Sequence, residues 1–410
     1  MKHHIVVIGA GFAGLMAAIR LSRKQDKHTM QITLINGSDD YIVRPRLHEW
    51  ASNQTRQRRK LRDLLNGTDI QFMHGWVKTL HPEHKAITVE THRDQISLSY
   101  DSLIIAVGSH INTRAVAGID DHAYVLDAHQ NRGAEALRQE LLTYQNQLGH
   151  VVVIGAGATG IEGATHIKSL YPQLDVTIVT QGRFGSFKDD ERIERRLRHA
   201  FEQQGITVRE QAHVNELTAK HIHLASGESI AYDICLWAGG FIAPSLGRDA
   251  GLQVNERNQI LVDPYQCALG YPNIIAVGDC AMPIEQPGNP YRMCCPVALT
   301  MGAHAADNIV RMLSGKQEEP LSFAYYGQAI QLGTDDAIDW FSYPDDEVHG
   351  IVTTGQPALL IRNAILKYID VIYDYEKRYG FYSWLGKSHY HKQQSSPTQS
   401  DVLANPLRNS

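Results

Sequence analysis

Two glycine-rich turns and one pair of adjacent cysteines are where this sequence could do chemistry. The turns read Gly9-Ala10-Gly11-Phe12-Ala13-Gly14 and Gly155-Ala156-Gly157-Ala158-Thr159-Gly160. In each, an apolar run leads into the first glycine and a helix-forming stretch follows the third. Such a turn presents backbone N–H groups and the positive end of a helix to a phosphate. The first glycine permits the tight turn, the second lets a pyrophosphate reach the backbone, and the third lets the helix pack on the strand. The cysteines, Cys294 and Cys295, stand in RMCCPVAL. A bond between neighbours would close a strained ring outside ordinary bridge geometry. No CxxC spacing surrounds them, so the expectation is two small polarizable residues packed where a helix begins.

These turns require strands to hold them. Ile5 to Ile8 and His150 to Ile154 precede them, and QITLIN (31–36) and DVTIVT (175–180) follow as second strands. YDSLIIAVGS (100–109), YDICLWAGG (232–240) and NIIAVGDCA (273–281) read as further apolar strands that run into small residues. Two such units imply two dinucleotides or two halves of one site. The opening unit is the usual place for a flavin, and the second would then hold NAD(P)H. An acidic residue commonly ends the second strand and binds a ribose 2′-hydroxyl. Here the first unit has Asn36, either a ribose ligand or a simple turn residue. The second has Thr180-Gln181-Gly182-Arg183. A hydroxyl with a nearby arginine favours a 2′-phosphate, hence NADPH over NADH, unless Arg183 is only a solvated surface charge.

The chain of 410 residues is too long for one small core. Its 20% charged residues and net charge of -5 describe an ordinary globular protein with no sign of a nucleic-acid partner. Five cysteines without paired metal-ligand spacing fit a reducing cytoplasm and predict no metal. Neither a cleaved leader nor a membrane-spanning helix is expected. The predicted fold is α/β, with two Rossmann-like dinucleotide-binding domains and a small C-terminal α+β domain. The boundaries are a first FAD-binding part (1–112), an inserted NAD(P)H domain (113–240), a second FAD-binding part (241–315), an interface domain (316–388) and a disordered tail (389–410).

The order GAGFAG, YDSLIIAVGS, GAGATGIE, YDICLWAGG, IIAVGDCA resembles the two-dinucleotide-domain FAD/NAD(P)-dependent pyridine nucleotide-disulfide oxidoreductase superfamily. Within it the chain looks most like type II NADH dehydrogenases (NAD(P)H:quinone oxidoreductases) and apoptosis-inducing-factor-like flavoproteins. The resemblance implies that Gly9, Gly11, Phe12, Ala13 and Gly14 cradle the FAD pyrophosphate, with Asn36 at the adenosine ribose and Val77 at the adenine. Ala106, Val107 and Gly108 would lie along the FAD, with Gly278 and Asp279 at its ribityl or pyrophosphate end. Gly155, Gly157, Ala158, Thr159 and Gly160, with Thr180 and Arg183, would hold the nicotinamide dinucleotide. Gly239 and Gly240 would leave room for the nicotinamide. Glu162 matches a glutamate of the type II enzymes near the nicotinamide and quinone side; otherwise it is a helix-start carboxylate favoured by the dipole. In YIVRPRLHEWA (41–51), Arg44 would reach the FAD, and His48 and Glu49 could handle protons near its ring.

In the type II enzymes the helix after the GD motif carries two glutamines that line the quinone site. Aligned on Gly302, this chain has Cys295-Pro296 and Thr300 instead, so both glutamines are missing. The N–H groups of Val297 and Ala298 would still face the flavin and stabilise negative charge on it. The cysteine spacings of disulfide reductases and of sulfide:quinone reductases are absent too. A flavin would carry the redox step, taking a hydride from NAD(P)H and passing electrons to a quinone-type acceptor. Two alternatives are an NADPH-dependent flavoenzyme for a dedicated small, aromatic biosynthetic substrate, and a non-enzymatic NAD(P)H sensor.

Strands are predicted within 321–345, and Ile361, Ile365, Tyr368, Ile369, Ile372 and Tyr373 recur at helical spacing. That helix is either an interfacial one, as in membrane-bound quinone reductases, or one packed on the core or a second subunit, with a homodimer expected. The expected location is cytoplasmic, with peripheral contact at the inner face of the membrane as the alternative. Arg56, Arg58, Arg59 and Lys60 read as a solvated helix face, and His389 and His391 as too weak a pair to hold a metal.

Overall fold

The computed structural model describes residues 2–24, 29–52, 59–186, 189–284 and 291–386. Arg56, Arg58, His389, His391 and the predicted tail lie outside these. The chain begins with β1 (His3–Ile8), α1 (Phe12–Lys24) and β2 (Met30–Asn36), passes a short helix α2 (Leu47–Ala51), and continues through β3 (Ile70–His74) and β4 (Ser102–Ile105). It then leaves this sheet to build a second one from β5 (Tyr124–Val125), β6 (His150–Ile154), β7 (Asp175–Val179), β8 (Thr207–Arg209) and β9 (Ile234–Trp237). Helices α3 (Ala158–Leu170) and α4 (Glu191–Gln204) flank its central strands. The chain returns to the first sheet with β10 (Tyr271–Ala276) and the long helix α5 (Cys295–Leu313). It ends with β11 (Gly327–Gln331), β12 (Ala337–Ser342), β13 (Val348–Thr354) and α6 (Gln356–Tyr379).

The first sheet runs β10-β4-β1-β2-β3, extended beyond β10 by three short strands. The second runs β5-β9-β6-β7-β8, and every pairing within it is parallel. Runs such as Ile5-Val6-Val7-Ile8 and Val151-Val152-Val153-Ile154 are buried throughout, as strands of a parallel sheet covered on both faces must be. In both sheets the order reverses beside the strand that opens the unit, between β1 and β4 and between β6 and β9. In open α/β sheets, ligands bind at such a reversal, outside the carboxyl ends of the strands. The expected α/β architecture of two dinucleotide-type units, one set within the other, is therefore the observed one. The last three strands form an antiparallel sheet of their own, closed by α6.

Arg59 and Lys60 correct one expectation. They form a two-residue strand paired with Asp40–Tyr41 rather than a helix face, because Lys60 meets Asp40 and Arg59 reaches Asp374 and the Asp370 carbonyl on α6. Helix α6 is fixed from its other end by buried charge. Arg20 of α1 donates to Glu376 at 2.9 Å and to Asp307, while Glu376 also accepts the Tyr382 N–H.

Helix α5 crosses α1 so closely that a Cβ on Gly302 would lie 2.1 Å from the Ala13 carbonyl oxygen. Gly302→Ala must push the two helices apart. It should cost about 1–3 kcal/mol by overpacking, whereas Gly350→Ala, where a Cβ meets nothing, should stay within about 0.5 kcal/mol. Denaturant unfolding of the two variants measures this.

Candidate active site

The two glycine turns are built alike. Gly9 and Gly155 have φ of +94° and +107°, and a Cβ on either would strike the backbone of the strand beside it, 2.4 Å from the Ala106 oxygen or 2.6 Å from the Ala238 oxygen. Gly14 and Gly160 lie against the first glycine of their own turns, 1.9 and 1.8 Å from its oxygen by the same measure. The middle glycines, Gly11 and Gly157, face open space. The first helical hydrogen bonds run from Leu15 to Gly11 and from Ile161 to Gly157. The N–H groups of Phe12, Ala13 and Gly14, and of Ala158, Thr159 and Gly160, are thus aimed out of the helix starts. Packed first and third glycines around an open second one fit a dinucleotide pyrophosphate in each turn.

Around the first turn the expected flavin-site residues converge. Gly278 approaches Ala13 and Ala298, and Arg44 donates to the Ser109 carbonyl at 2.9 Å while its guanidinium lies 3.7 Å from Asp279. Ser109 donates its hydroxyl to Asp279 at 2.6 Å. Val77 belongs to an antiparallel meander whose Trp76 ring lies across Gly37, next to the Asn36 end of β2. Asn36 does more than the ribose reading foresaw. Its side-chain oxygen accepts the Ala10 N–H at 2.9 Å and its amide donates to the Ser38 carbonyl, so it braces the turn itself.

Three expectations change in detail. The Ala298 N–H is taken by the Cys294 carbonyl at 3.0 Å, the first bond inside α5, and the Val297 N–H is directed at the Cys294 thiol. Pro296 has none, so fewer donors face outward at this helix start than expected. Gly239 is small because the Trp237 ring crosses it, 2.2 Å from where a Cβ would be; only Gly240 faces open space. Arg183 is not a free cation: Glu194 holds it through both Nε and Nη2. Burial pushes the Cys294 thiol up to about 11 and Cys295 well above its ordinary value, so neither is a thiolate at neutral pH.

Glu162, His48 and Glu49 meet in one buried cluster, assembled by α3, α2, β11 and α6. Arg362, only 4% exposed, donates to Glu49 at 3.0 Å and lies 3.4 Å from Glu162. His48 lies 3.7 Å from the Glu162 carboxylate through Nδ1 and bonds the Gln331 side chain through Nε2 at 3.1 Å. The Gln331 N–H donates to Glu162 at 3.1 Å, and the His166 ring stands edge-on to His48. Burial lowers His48 to about 4, aided by Arg362, and lowers His166 to about 3. Burial alone would raise Glu49, but His48, Arg362 and Arg46 outweigh it and hold it low. Glu162 is the reverse, since its desolvation exceeds the help from Arg362 and Gln331 and its pKa rises. At neutral pH the cluster therefore holds two neutral imidazoles, an ion pair between Arg362 and Glu49, and in Glu162 the carboxyl best suited to take up a proton. Arg362, Gln331, His166, Ser109 and Phe241, the last stacked under Arg44, were not singled out in sequence. Arg362 had a signal: it interrupts a stripe of Leu359, Leu366, Ile369 and Tyr373 at helical spacing, and a charge on a buried face needs a partner.

The sequence profile of the pyridine nucleotide-disulphide oxidoreductases matches residues 3–302. An NADH dehydrogenase-like protein of Mycobacterium tuberculosis is 25% identical over 380 residues, covering 88% of this chain and 92% of its own length. Demethylphylloquinone reductase of Synechocystis is 24% identical over 397 residues, covering 94% and 96%. Among solved structures, the sulfide:quinone oxidoreductase of Aquifex aeolicus has a TM-score of 0.78 at 19% identity, covering 91% and 92%.

Two outcomes follow from the buried cluster. Arg362→Met should destabilise the fold by about 1–4 kcal/mol, because it removes the buried one of the two arginines on Glu49 and leaves only Arg46, at 2.9 Å; adding Glu49→Gln should restore much of that loss in the same unfolding measurement. His48 takes its proton near 6.5 when unfolded and near 4 when folded. Between these values the unfolded chain binds more protons, so stability is full above 6.5 and falls as the pH falls towards 4. His166 acts in the same sense, and Glu162 opposes it. Between pH 7 and 4.5, wild type should lose about 2 kcal/mol more than His48→Asn, read as denaturant midpoints at each pH.

Proposed function

The chain belongs to the pyridine nucleotide-disulphide oxidoreductase family, and we propose that it is an FAD-dependent enzyme that transfers reducing equivalents from a nicotinamide dinucleotide to a quinone-type acceptor. The carrying observation is the pair of matched turns, each with an open middle glycine, at the reversal points of two separate sheets. Two such sites in one chain suit two dinucleotides, one resident and one exchanging. The family is one of oxidoreductases, which favours an enzyme over the sensor considered from sequence.

The N–H groups of Phe12, Ala13 and Gly14 would hold the FAD pyrophosphate, with Asp279, Ser109 and Arg44 beside its ribityl end. Bound FAD supplies the hydride-accepting chemistry. The second turn, through Ala158, Thr159 and Gly160, would bind the donor, and Gly240 offers it space beside Phe241. Glu162 is the residue assigned to hold or release a proton, with His48 as its neighbour and Glu49 as the fixed charge opposite Arg362. The uncharged thiols of Cys294 and Cys295 argue against thiol–disulfide exchange. Relatives named as quinone reductases support the acceptor class, although the two glutamines expected at this helix start are replaced.

Among the described residues no helix is long and apolar enough to cross a membrane. The outer side of α6 and the segment after it nevertheless expose Leu360, Ile365, Tyr368, Tyr379 and Phe381. This apolar, aromatic face supports peripheral contact with a lipid surface, where a lipophilic quinone would be met; a homodimer through the same face is the competing arrangement.

The test is rapid mixing. NAD(P)H should bleach the flavin absorbance, and a quinone should restore it faster than oxygen does. In the holoenzyme, Cys294→Met, with its bulkier side chain, should slow the second phase at least fivefold and leave the first within twofold. Failure of any quinone to restore the flavin faster than oxygen would overturn the acceptor reading.

A further inference from the structure

We propose that Glu194 sets the preference between NADH and NADPH by holding Arg183 away from the adenosine ribose. The proposal rests on the reading of the second glycine turn as the nicotinamide dinucleotide site. In such a unit the adenosine ribose lies beside the residue that ends the second strand. Here β7 ends at Val179 and the position is taken by Thr180, directly after it, whose hydroxyl neither repels a 2′-phosphate nor supplies the carboxylate that grips a free 2′-hydroxyl.

Among the described residues, Arg183 of the loop that follows lies in a closed network of charges with α4. Arg183 places Nε 3.1 and 3.0 Å from the two oxygens of Glu194 and adds Nη2 to the same carboxylate. Arg198 donates to Glu194 at 3.0 Å and to both oxygens of Glu210, at 3.1 and 2.7 Å. Glu210 in turn accepts the Phe184 N–H at 2.6 Å. Gly185, with φ of +78°, packs on Glu194 so closely that a Cβ would lie 3.2 Å from the Glu194 Cα. The loop is therefore fixed to α4, and Arg183 of the loop and Arg198 of α4 are matched by Glu194 and Glu210.

This arrangement discriminates weakly in both directions. The Arg183 side chain is 63% exposed, and an exposed ion pair in water is easily exchanged. A 2′-phosphate offers a planar guanidinium the same bidentate acceptor geometry as a carboxylate. Glu194 opposes that exchange twice, by occupying Arg183 and by repelling the incoming dianion. With its charge removed, Arg183 loses its partner and becomes the cation left for a 2′-phosphate, while Arg198 keeps Glu210.

The measurement is kcat/KM for NADH and NADPH, together with calorimetric titration of the holoenzyme with 2′,5′-ADP and 5′-AMP, in wild type, Glu194→Gln, Arg183→Ala and the double variant. Wild type should favour neither dinucleotide by more than tenfold. Glu194→Gln, which keeps the packing on Gly185, should raise the NADPH:NADH ratio at least tenfold, through KM for NADPH and not through kcat. It should tighten 2′,5′-ADP relative to 5′-AMP by a similar factor, and the gain should vanish in the double variant. A smaller rise, a gain carried by kcat, or a gain that survives loss of Arg183 overturns the proposal. If neither dinucleotide is oxidised, the donor reading falls, and the ratio of the two adenosine phosphates still decides the role of Glu194.

Discussion

The turn after β1 passes directly over the end of β4, and no side chain fits between them. Gly9 faces the Ala106 carbonyl at a separation that excludes even a methyl group. That contact brings the carboxyl ends of β1 and β4 together and aims α1 outward from the gap, so its first three N–H groups converge on one spot. Asn36 reinforces the geometry by giving its side-chain oxygen to the Ala10 N–H. Helix α5 can then lie on α1 only where Gly302 meets Ala13, which in turn fixes where Cys294 and Cys295 begin that helix. The second unit repeats the contact at Gly155 and Ala238, with Gly160 as the counterpart of Gly14. The open middle glycines, Gly11 and Gly157, are thus set between backbone contacts that leave the flanking glycines no alternative.

Where the first constraint is steric, the second is electrostatic. Helices α2, α3 and α6 and strand β11 come from distant parts of the chain, and charged groups join them in a place where water is excluded. A buried ion pair is weak support for stability, because desolvation offsets most of the attraction. Its value here is positional. Arg362 can satisfy Glu49 only if α6 lies against α2, and it can temper Glu162 only if α3 is also in place. The same geometry gives the two glutamates opposite fates, one held ionised by close cations and one raised by burial. Placing two carboxyls in environments that push their affinities for protons apart is how a site separates a fixed charge from a group that exchanges protons.

Much of this was legible in sequence because it is local. The strand-turn-helix pattern, the spacing of the three glycines and the buried β-branched runs are properties of short windows. Glu162, His48 and Glu49 were also identifiable by type and position, but not the reason they belong together. Glu49 and Arg362 stand 313 residues apart, and only the tertiary fold makes them partners. The misses share a cause of the same kind. Gly239 offers no space because Trp237 folds back over it, and Ala298 has no free N–H because the helix begins one residue earlier than an outward donor there would need. Arg183 is paired rather than free because Glu194, eleven residues later, returns to it when α4 packs against α3 and β8.

The start of α5 differs from the buried cluster in what it offers an acceptor. Burial holds the Cys294 and Cys295 thiols in their neutral form, and it raises Tyr325, Tyr41 and Tyr373 beside them in the same way. Arg292, which precedes the cysteines, is matched by Asp346 at 2.7 Å. Among the described residues the region therefore holds neutral thiols and hydroxyls, the Tyr41 and Tyr373 protons being given to Tyr373 and to the Phe12 carbonyl, and Arg292 is paired. A thiol–disulfide mechanism needs a thiolate, which this environment disfavours. A neutral, largely apolar ring with two carbonyl oxygens needs a low-charge surface and a few weak donors, which this environment provides. On the quinone reading proposed above, the replacement of both expected glutamines would change which donors orient such a ring.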